Sequence, residues 1–172
     1  MTSSRLLLAA LLLFSGASRA RADLPFLIPH HVLLNSGVVF SGVLTSTDLH
    51  IEGRNEYNSG IVRVVKVFVF SGRVIPGQDV EITWVNYTGV TCPRASYDRI
   101  KGKEALWFFP DTGRRQFDAN DEQHVIPMSR GALENFLEYF LKRHGPADTD
   151  LERAVVGYMR ERLQTLPDRA LP

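Results

Sequence analysis

Six basic residues lie along residues 94–117 with aromatic residues between them, and together they have the composition of a surface that binds an anionic partner. The basic residues are Arg94, Arg99, Lys101, Lys103, Arg114 and Arg115, and the aromatic residues are Tyr97, Trp107 and Phe117. Cationic side chains attract anionic groups, and aromatic rings offer faces for stacking. We take the six basic residues together with Tyr97 as the candidate binding residues. In the alternative interpretation the charges are solvated and the rings belong to the core.

The single cysteine, Cys92, lies next to this basic stretch. One cysteine cannot form a disulfide within its own chain, so three interpretations stay open: a buried thiol, a disulfide-linked dimer through Cys92, or a reactive thiol. Pro93 follows it, and no helix begins there that would activate the thiol. The chain also contains no G-x-S-x-G sequence of the kind that presents a serine nucleophile. We therefore assign no catalytic residue.

Histidines and clustered carboxylates are the other residues that could carry chemistry. The five histidines do not have the i, i+4 spacing by which a helix presents two ligands to zinc, and they are His30, His31, His50, His124 and His144. Residues 118–124 begin like a calcium-binding loop but lack its glycine at position six and its distal glutamate. We assign no metal and no cofactor.

The first 22 residues have the features of a secretory signal peptide. Arg5 precedes an apolar run at residues 6–14, and the small residues Ala20 and Ala22 flank Arg21 at the expected cleavage point. We expect an exported protein, periplasmic or secreted, with no transmembrane segment after cleavage, because that run is far shorter than a bilayer requires. Removing the signal takes away three arginines and changes the formal net charge from +1 to −2. A weakly acidic domain has no broad attraction for nucleic acid, so no nucleic-acid partner is expected.

The middle of the chain has the alternating pattern of β-strands. Residues 38–45 and 80–84 alternate apolar and polar side chains, and residues 61–70 are so rich in β-branched and aromatic residues that we expect a central strand buried on both faces. Residues 48–60 are polar and rich in glycine, which predicts a loop with at most a short strand at residues 49–51. Pro76-Gly77 predicts a type II turn. Glycines within the first strand, such as Gly42, indicate a bulge.

The C-terminal part changes to helical periodicity. The first helix is expected to begin after Ser129 and to end at Gly145-Pro146, and the second opens with Thr149 and Glu152 at the spacing of a capping box. The predicted fold class is α+β, mainly β: a five-stranded barrel of the OB type followed by two C-terminal amphipathic helices. The expected division is residues 1–22 as the signal peptide, 23–128 as the barrel, and 129–172 as a helical segment packed on it.

Several segments in this order resemble the netrin-like OB-fold domains, a family that includes the tissue inhibitors of metalloproteinases. They are "VFSGVL", "VRVVKVFVFSG", "PGQDVEITW", Cys92 and "IKGKEALWFF", spread over residues 36–126. The resemblance implies that Cys92 stands where related domains keep one half of a disulfide. The family's metalloproteinase inhibitors begin with a cysteine that binds the protease's zinc, whereas the mature chain expected here begins "DLPFL". That mechanism is therefore not carried over to this chain.

From these observations we expect an exported, non-enzymatic binding module of the OB type that recognises a protein or an anionic component of the cell envelope. The alternative is a protease inhibitor or a hydrolase-type enzyme whose site the sequence does not reveal.

Overall fold

The computed structural model describes residues 36–69, 74–87, 96–112, 116–120 and 124–167. The expected signal peptide and Cys92 lie outside these residues. The structure contains six strands, a short 3₁₀ helix and two α-helices: β1 (Val38–Glu52), β2 (Asn55–Val69), β3 (Asp79–Tyr87), the 3₁₀ helix (Asp98–Ile100), β4 (Glu104–Phe109), β5 (Gln116–Asp118), β6 (Val125–Pro127), α1 (Arg130–His144) and α2 (Asp150–Thr165). The predicted α+β class, mainly β with two C-terminal helices, is confirmed.

The strands form one open sheet in the order β5-β3-β2-β1-β4-β6, and the predicted five-stranded barrel is wrong. All neighbours are antiparallel except β3 and β5, which are parallel. A barrel closes only when its two edge strands hydrogen-bond to each other. Closure would require β4 to pair with β5. The free edge of β4 is instead paired with β6, for example at Leu106 and Ile126. Residues 116–118 form β5, the opposite edge strand.

β1 and β2 form a hairpin of two fifteen-residue strands, so the loop predicted at residues 48–60 is wrong. The strands pair as far as Glu52 and Asn55, and the turn between them is the two residues Gly53-Arg54. Gly53 has a φ of 62°, which is the conformation that a glycine in the first position of a type II′ hairpin turn adopts. The polar composition misled the sequence interpretation because this end of the hairpin extends beyond the core.

Bulges coil the hairpin around the core. The register between β1 and β2 shifts at three places, one of them between Ser41 and Gly42. A bulge bends its strand and increases the local twist, and the bulge expected at Gly42 is confirmed. A Cβ atom built on Gly42 would lie 2.6 Å from Cγ1 of Val62, so the two strands approach too closely there for any side chain.

β4 separates the two hydrophobic cores. Trp107 and Phe109 point into a core enclosed by the coiled sheet, whereas Leu106 and Phe108 point into a second core beneath the helices. β4 is therefore the strand buried on both faces. β2 is a central strand of the sheet, as predicted, and the charged Lys66 was expected to be exposed. The expectation that its apolar residues are buried on both faces is wrong, because Val65 is 46% exposed.

Both helices begin where their sequences predict, and the first also ends where its sequence predicts. Oγ of Ser129 accepts a hydrogen bond from the amide of Ala132, and α1 is followed by Gly145 with a φ of 77°. Thr149 and Glu152 form the predicted capping box at the start of α2. These local signals set where the helices begin. The two amphipathic helices pack against the outer face of β1, β4 and β6, where their buried residues complete the second core.

Candidate binding surface

The basic segment at residues 96–103 is held on the protein by two buried side chains. Tyr97 and Ile100 both lie in the core enclosed by the sheet. The Tyr97 hydroxyl donates a hydrogen bond of 2.5 Å to the carbonyl oxygen of Ala119, and its ring meets the ring of Trp84 edge-on at 4.9 Å between centroids. Tyr97 was expected to contribute an exposed stacking surface. It anchors the segment instead.

The two other aromatic residues of the predicted surface are also in the core. Trp107 and Phe117 are both buried, and the Trp107 indole N–H donates to the carbonyl of Gly42 over 3.2 Å. Phe117 stacks on Phe109 with 4.9 Å between ring centroids. The alternative interpretation of the sequence, in which the rings build the core, therefore holds for all three aromatic residues.

Backbone hydrogen bonds fix the course of the segment. The amide of Ile100 donates to the carbonyl of Tyr97 over 3.0 Å, and the amide of Lys103 donates to the carbonyl of Ile100 over 2.9 Å. Gly102 has a φ of 74°, and its amide donates to the carbonyl of Leu44 on β1 over 2.8 Å. A side chain at this position would strain the backbone, since non-glycine residues rarely adopt such a φ. The segment is thus attached to β1 at a defined point.

Three of the predicted cations, Arg99, Lys101 and Lys103, are exposed on this anchored segment. The Lys101 ammonium group lies 3.5 Å from Oγ1 of Thr47 on β1. Asp98 is the one acid among residues 96–103, and its carboxylate lies 3.4 Å from Oγ of Ser96. We call Arg99, Lys101 and Lys103 the cationic rim. The other predicted cations, Arg94, Arg114 and Arg115, lie outside the described residues.

A polar groove crosses the sheet near β5, and its chemistry differs from that of the cationic rim. Two shallow depressions, of about 180 and 230 Å³, share Thr83 and Gln116 in their walls. Asp48, Glu81 and Asp118 contribute carboxylates there, and Gln116 Nε2 donates to Glu81 over 3.1 Å. The groove is therefore acidic and repels anions. The sequence interpretation missed it because residues 48–60 were expected to form a loop.

A partly buried polar network joins α2 to the sheet, and no sequence motif predicted it. The Tyr158 hydroxyl donates to one oxygen of the Glu104 carboxylate, and Arg162 donates to the other over 2.5 Å. The same hydroxyl lies 3.3 Å from Oγ of Ser41, which is fully buried on β1. The Lys66 ammonium group lies 4.6 Å from the centre of the Tyr158 ring. These residues lie far apart in the sequence, so only the tertiary structure brings them together.

The environment of Tyr158 changes its acidity. Burial raises the pKa of the Tyr158 phenol above its ordinary value, and the hydrogen bond to the Glu104 carboxylate raises it further. The neutral phenol is therefore the form that the folded protein stabilises. Because the Ser41 hydroxyl is enclosed by this network and buried, it cannot serve as a nucleophile toward a substrate in solution. We interpret the network as structural.

Within the described part of the chain, no group of three or more histidine, cysteine, aspartate or glutamate residues could hold a metal ion. The polar side chains of residues 118–120 have structural hydrogen bonds: Asp118 accepts from the amide of Asn120, and Asn120 accepts from the amide of Val85 on β3. Residues 121–123, the middle of the loop that resembled a calcium site, lie outside the described residues, as do His30 and His31.

Neither α1 nor α2, the helices of the described residues, is long and apolar enough to cross a membrane. When the chain is compared with protein-family models and with curated proteins, nothing matches.

Proposed function

We propose that the chain is an exported, non-enzymatic binding module that recognises a protein or envelope component carrying negative charge. The cationic rim supports this proposal. Three exposed cations lie within five residues of one another, on a segment whose backbone is attached to β1 at Leu44 and whose side chains Tyr97 and Ile100 are buried. A binding segment that is already ordered loses little conformational entropy when the partner binds.

The charges of the rim are available to a partner. No carboxylate of the described residues forms an ion pair with Arg99 or Lys103. By contrast, Arg162 is paired with Glu104 and Arg153 with Asp150. An unpaired surface cation keeps its attraction for an external anion, whereas a paired one must first give up its partner.

An OB-like arrangement is the architectural part of the proposal. The consecutive antiparallel strands β1 to β3, the parallel pair β3 and β5, and the antiparallel pair β1 and β4 occur in the order that an OB fold uses, although β6 takes the edge of β4 and the sheet stays open. The stacked rings of Phe109 and Phe117 bring β4 and β5 together through side chains. A netrin-like ancestry and an OB-type binding role rest on the sequence resemblance alone.

The experiment compares two double variants with equal changes in net charge. Arg99→Glu with Lys103→Glu reverses two charges of the rim, whereas Lys142→Glu with Arg160→Glu reverses two exposed charges on α1 and α2. Each variant is applied to a column of immobilised sulfated polysaccharide, used as an anionic probe, and eluted with a salt gradient. We expect the rim variant to elute at clearly lower salt and the helix variant to elute nearly as the wild type does.

Circular dichroism shows whether each variant is folded before its retention is compared. Equal shifts for the two variants would mean that retention reports net charge alone, and the rim would then not be the binding site.

A further inference from the structure

Among the described residues, no strand covers one edge of β1 along the outer half of the hairpin. β4 pairs with β1 only from Val38 to Val43. At the next residue of β1, the carbonyl of Leu44 accepts a hydrogen bond from the amide of Gly102. From Ser46 to Glu52, β1 is paired with β2 on one side, and no strand among the described residues lies on the other. An edge of this kind presents unpaired amide and carbonyl groups that can pair with another chain. We call residues 46–52 the open edge.

The hairpin geometry determines which backbone groups point outward. In a hairpin with a two-residue turn, the residues flanking the turn, here Glu52 and Asn55, form a hydrogen-bonded pair, and hydrogen-bonded pairs alternate with non-hydrogen-bonded pairs along the ladder. The amide and carbonyl groups of Thr47, Leu49 and Ile51 therefore point away from β2. The amide of Leu49 agrees with this, because it donates to the side-chain carboxylate of Asp48 over 3.0 Å.

The side chains of the open edge differ between its two faces. Leu49 and Ile51 lie on one face and are 53% and 63% exposed, so this face of the edge presents two neighbouring apolar side chains to solvent. Asp48 and His50 lie on the other face, paired across the ladder with Ser59 and Tyr57 of β2. The edge therefore combines an apolar face with a face that carries two acids, Asp48 and Glu52, on either side of one histidine, His50.

We propose that the open edge pairs with the open edge of a second copy of this chain, antiparallel and with the two-fold axis at Leu49. In this register Leu49 faces Leu49 of the second copy, and Thr47 faces Ile51, so the apolar faces become continuous. Asp48 then faces His50 of the second copy, and His50 faces Asp48. An imidazole has an N–H that can donate to the opposing carboxylate in either of its charge states.

Charge excludes the neighbouring registers. Moving the axis to Asp48 would place the two Asp48 carboxylates opposite each other. Moving it to His50 would place Asp48 opposite Glu52 and the two histidines opposite each other. Like charges directly across a ladder destabilise the pairing, whereas opposite charges stabilise it. Of the three registers that keep Asp48 and His50 within the paired region, only the one centred on Leu49 is complementary.

The length of the edge also fits a second copy. Gly102 limits the edge at Leu44, and the turn at Gly53-Arg54 limits it at the other end. In the register centred on Leu49, residues 46–52 of each copy cover residues 46–52 of the other. The outward groups of Thr47, Leu49 and Ile51 then form six backbone hydrogen bonds across the axis, a count that follows from the antiparallel pattern at about two per hydrogen-bonded pair. To form its share, the Leu49 amide exchanges its exposed hydrogen bond to the Asp48 carboxylate for one to the second copy. Such an interface is isologous and closes on itself as a dimer.

Sedimentation of the full chain over a range of protein concentrations tests the proposal. A reductant is present throughout, so that a disulfide through Cys92 cannot contribute. The wild type is expected to shift from the mass of a monomer toward twice that mass as its concentration rises. A wild type that sediments as the monomer up to the highest soluble concentration overturns the proposal.

Leu49→Lys places two lysines opposite each other at the axis and is expected to weaken dimerisation about tenfold or more. Ile75→Lys is the matched control, because Ile75 is 52% exposed but lies in the turn before β3, away from the edge. An equal effect of the two substitutions, or no effect of Leu49→Lys, would contradict the proposed interface.

A charge exchange tests the register. Asp48→Lys places a lysine opposite His50 of the second copy, and His50→Glu places a glutamate opposite Asp48, so each variant alone is expected to be monomeric. Mixed in equal amounts, the two variants place lysine opposite glutamate and histidine opposite aspartate, and a mixed dimer is expected. If the wild type dimerises but the mixture does not, the register centred on Leu49 is wrong.

Discussion

Removing one hydroxyl group from Tyr158 tests whether the partly buried polar network holds α2 on the sheet. Tyr158→Phe removes the donor to Glu104 and the contact with Ser41, and it keeps the aromatic ring. The ring's edge-on contact with Phe68 and its position beneath the Lys66 ammonium group should therefore persist. The effect of the substitution should then come from the hydroxyl alone.

The size of the effect follows from the charge of the acceptor. Glu104 is nearly buried, with 11% of its side chain exposed, and its carboxylate accepts from both Tyr158 and Arg162. A hydrogen bond to a charged group contributes about 1.5–3 kcal/mol to stability. We expect Tyr158→Phe to lower the free energy of unfolding by about 2 kcal/mol, which corresponds to a fall in Tm of about 4–8 °C for a chain of this length.

Urea unfolding followed by tryptophan fluorescence measures this free energy, because Trp84 and Trp107 are both buried in the folded protein. Tyr139→Phe on α1 is the matched control: the Tyr139 ring lies 5.9 Å from the guanidinium of Arg143, a contact that does not use the hydroxyl. Its effect should stay within about 0.5 kcal/mol. If Tyr158→Phe also stays within that range, the network does not stabilise the attachment of α2.

The pH dependence of the same pair of proteins gives a second test. The fold raises the pKa of Tyr158, so the stabilisation from its neutral phenol is complete below the ordinary tyrosine pKa of about 10 and is lost as the pH rises through the higher folded value. The difference in unfolding free energy between wild type and Tyr158→Phe should therefore be constant from about pH 7 to 9 and shrink above about pH 10. A difference that grows at high pH would contradict the assigned network.

Three further substitutions are expected to change the urea midpoint: two should lower it and one should raise it. Gly42→Ala should destabilise the protein by about 1–3 kcal/mol, because the new methyl group would overlap Val62 across the bulge. Gly157→Ala should stabilise it by about 0.5–1 kcal/mol, since a Cβ there meets no atom within 4 Å and alanine favours the helix. Thr149→Ala should cost about 1 kcal/mol by removing the hydroxyl that caps the amide of Glu152. An unchanged midpoint for Gly42→Ala would argue against the close approach at the bulge, and a lower midpoint for Gly157→Ala would argue against the open space on α2.

The candidate site was only partly predictable. The exposed cations Arg99, Lys101 and Lys103 are where charged loop residues are expected to lie, on the surface. The burial of Tyr97 could not be inferred from its neighbours, because whether an aromatic residue in a loop points inward depends on the space left by distant elements. That space is created here by Trp84 on β3 and Ala119 after β5.

Local chemistry allowed the sequence by itself to determine the starts of both helices, the end of α1, the bulge at Gly42 and most of the strands. It also determined the Pro76-Gly77 turn, in which Gly77 has a φ of 82° and the amide of Gln78 donates to the carbonyl of Ile75. Caps, turns and alternation depend on residues within a few positions of one another, so their signals are present in the sequence. The tertiary structure alone decided that β6 occupies the outer edge of β4, that β5 runs parallel to β3, and that the sheet stays open. It also decided that Tyr158 meets Glu104 and that β1 extends beyond its neighbour. Each of these features joins residues far apart in the chain, through pairings that no local pattern specifies.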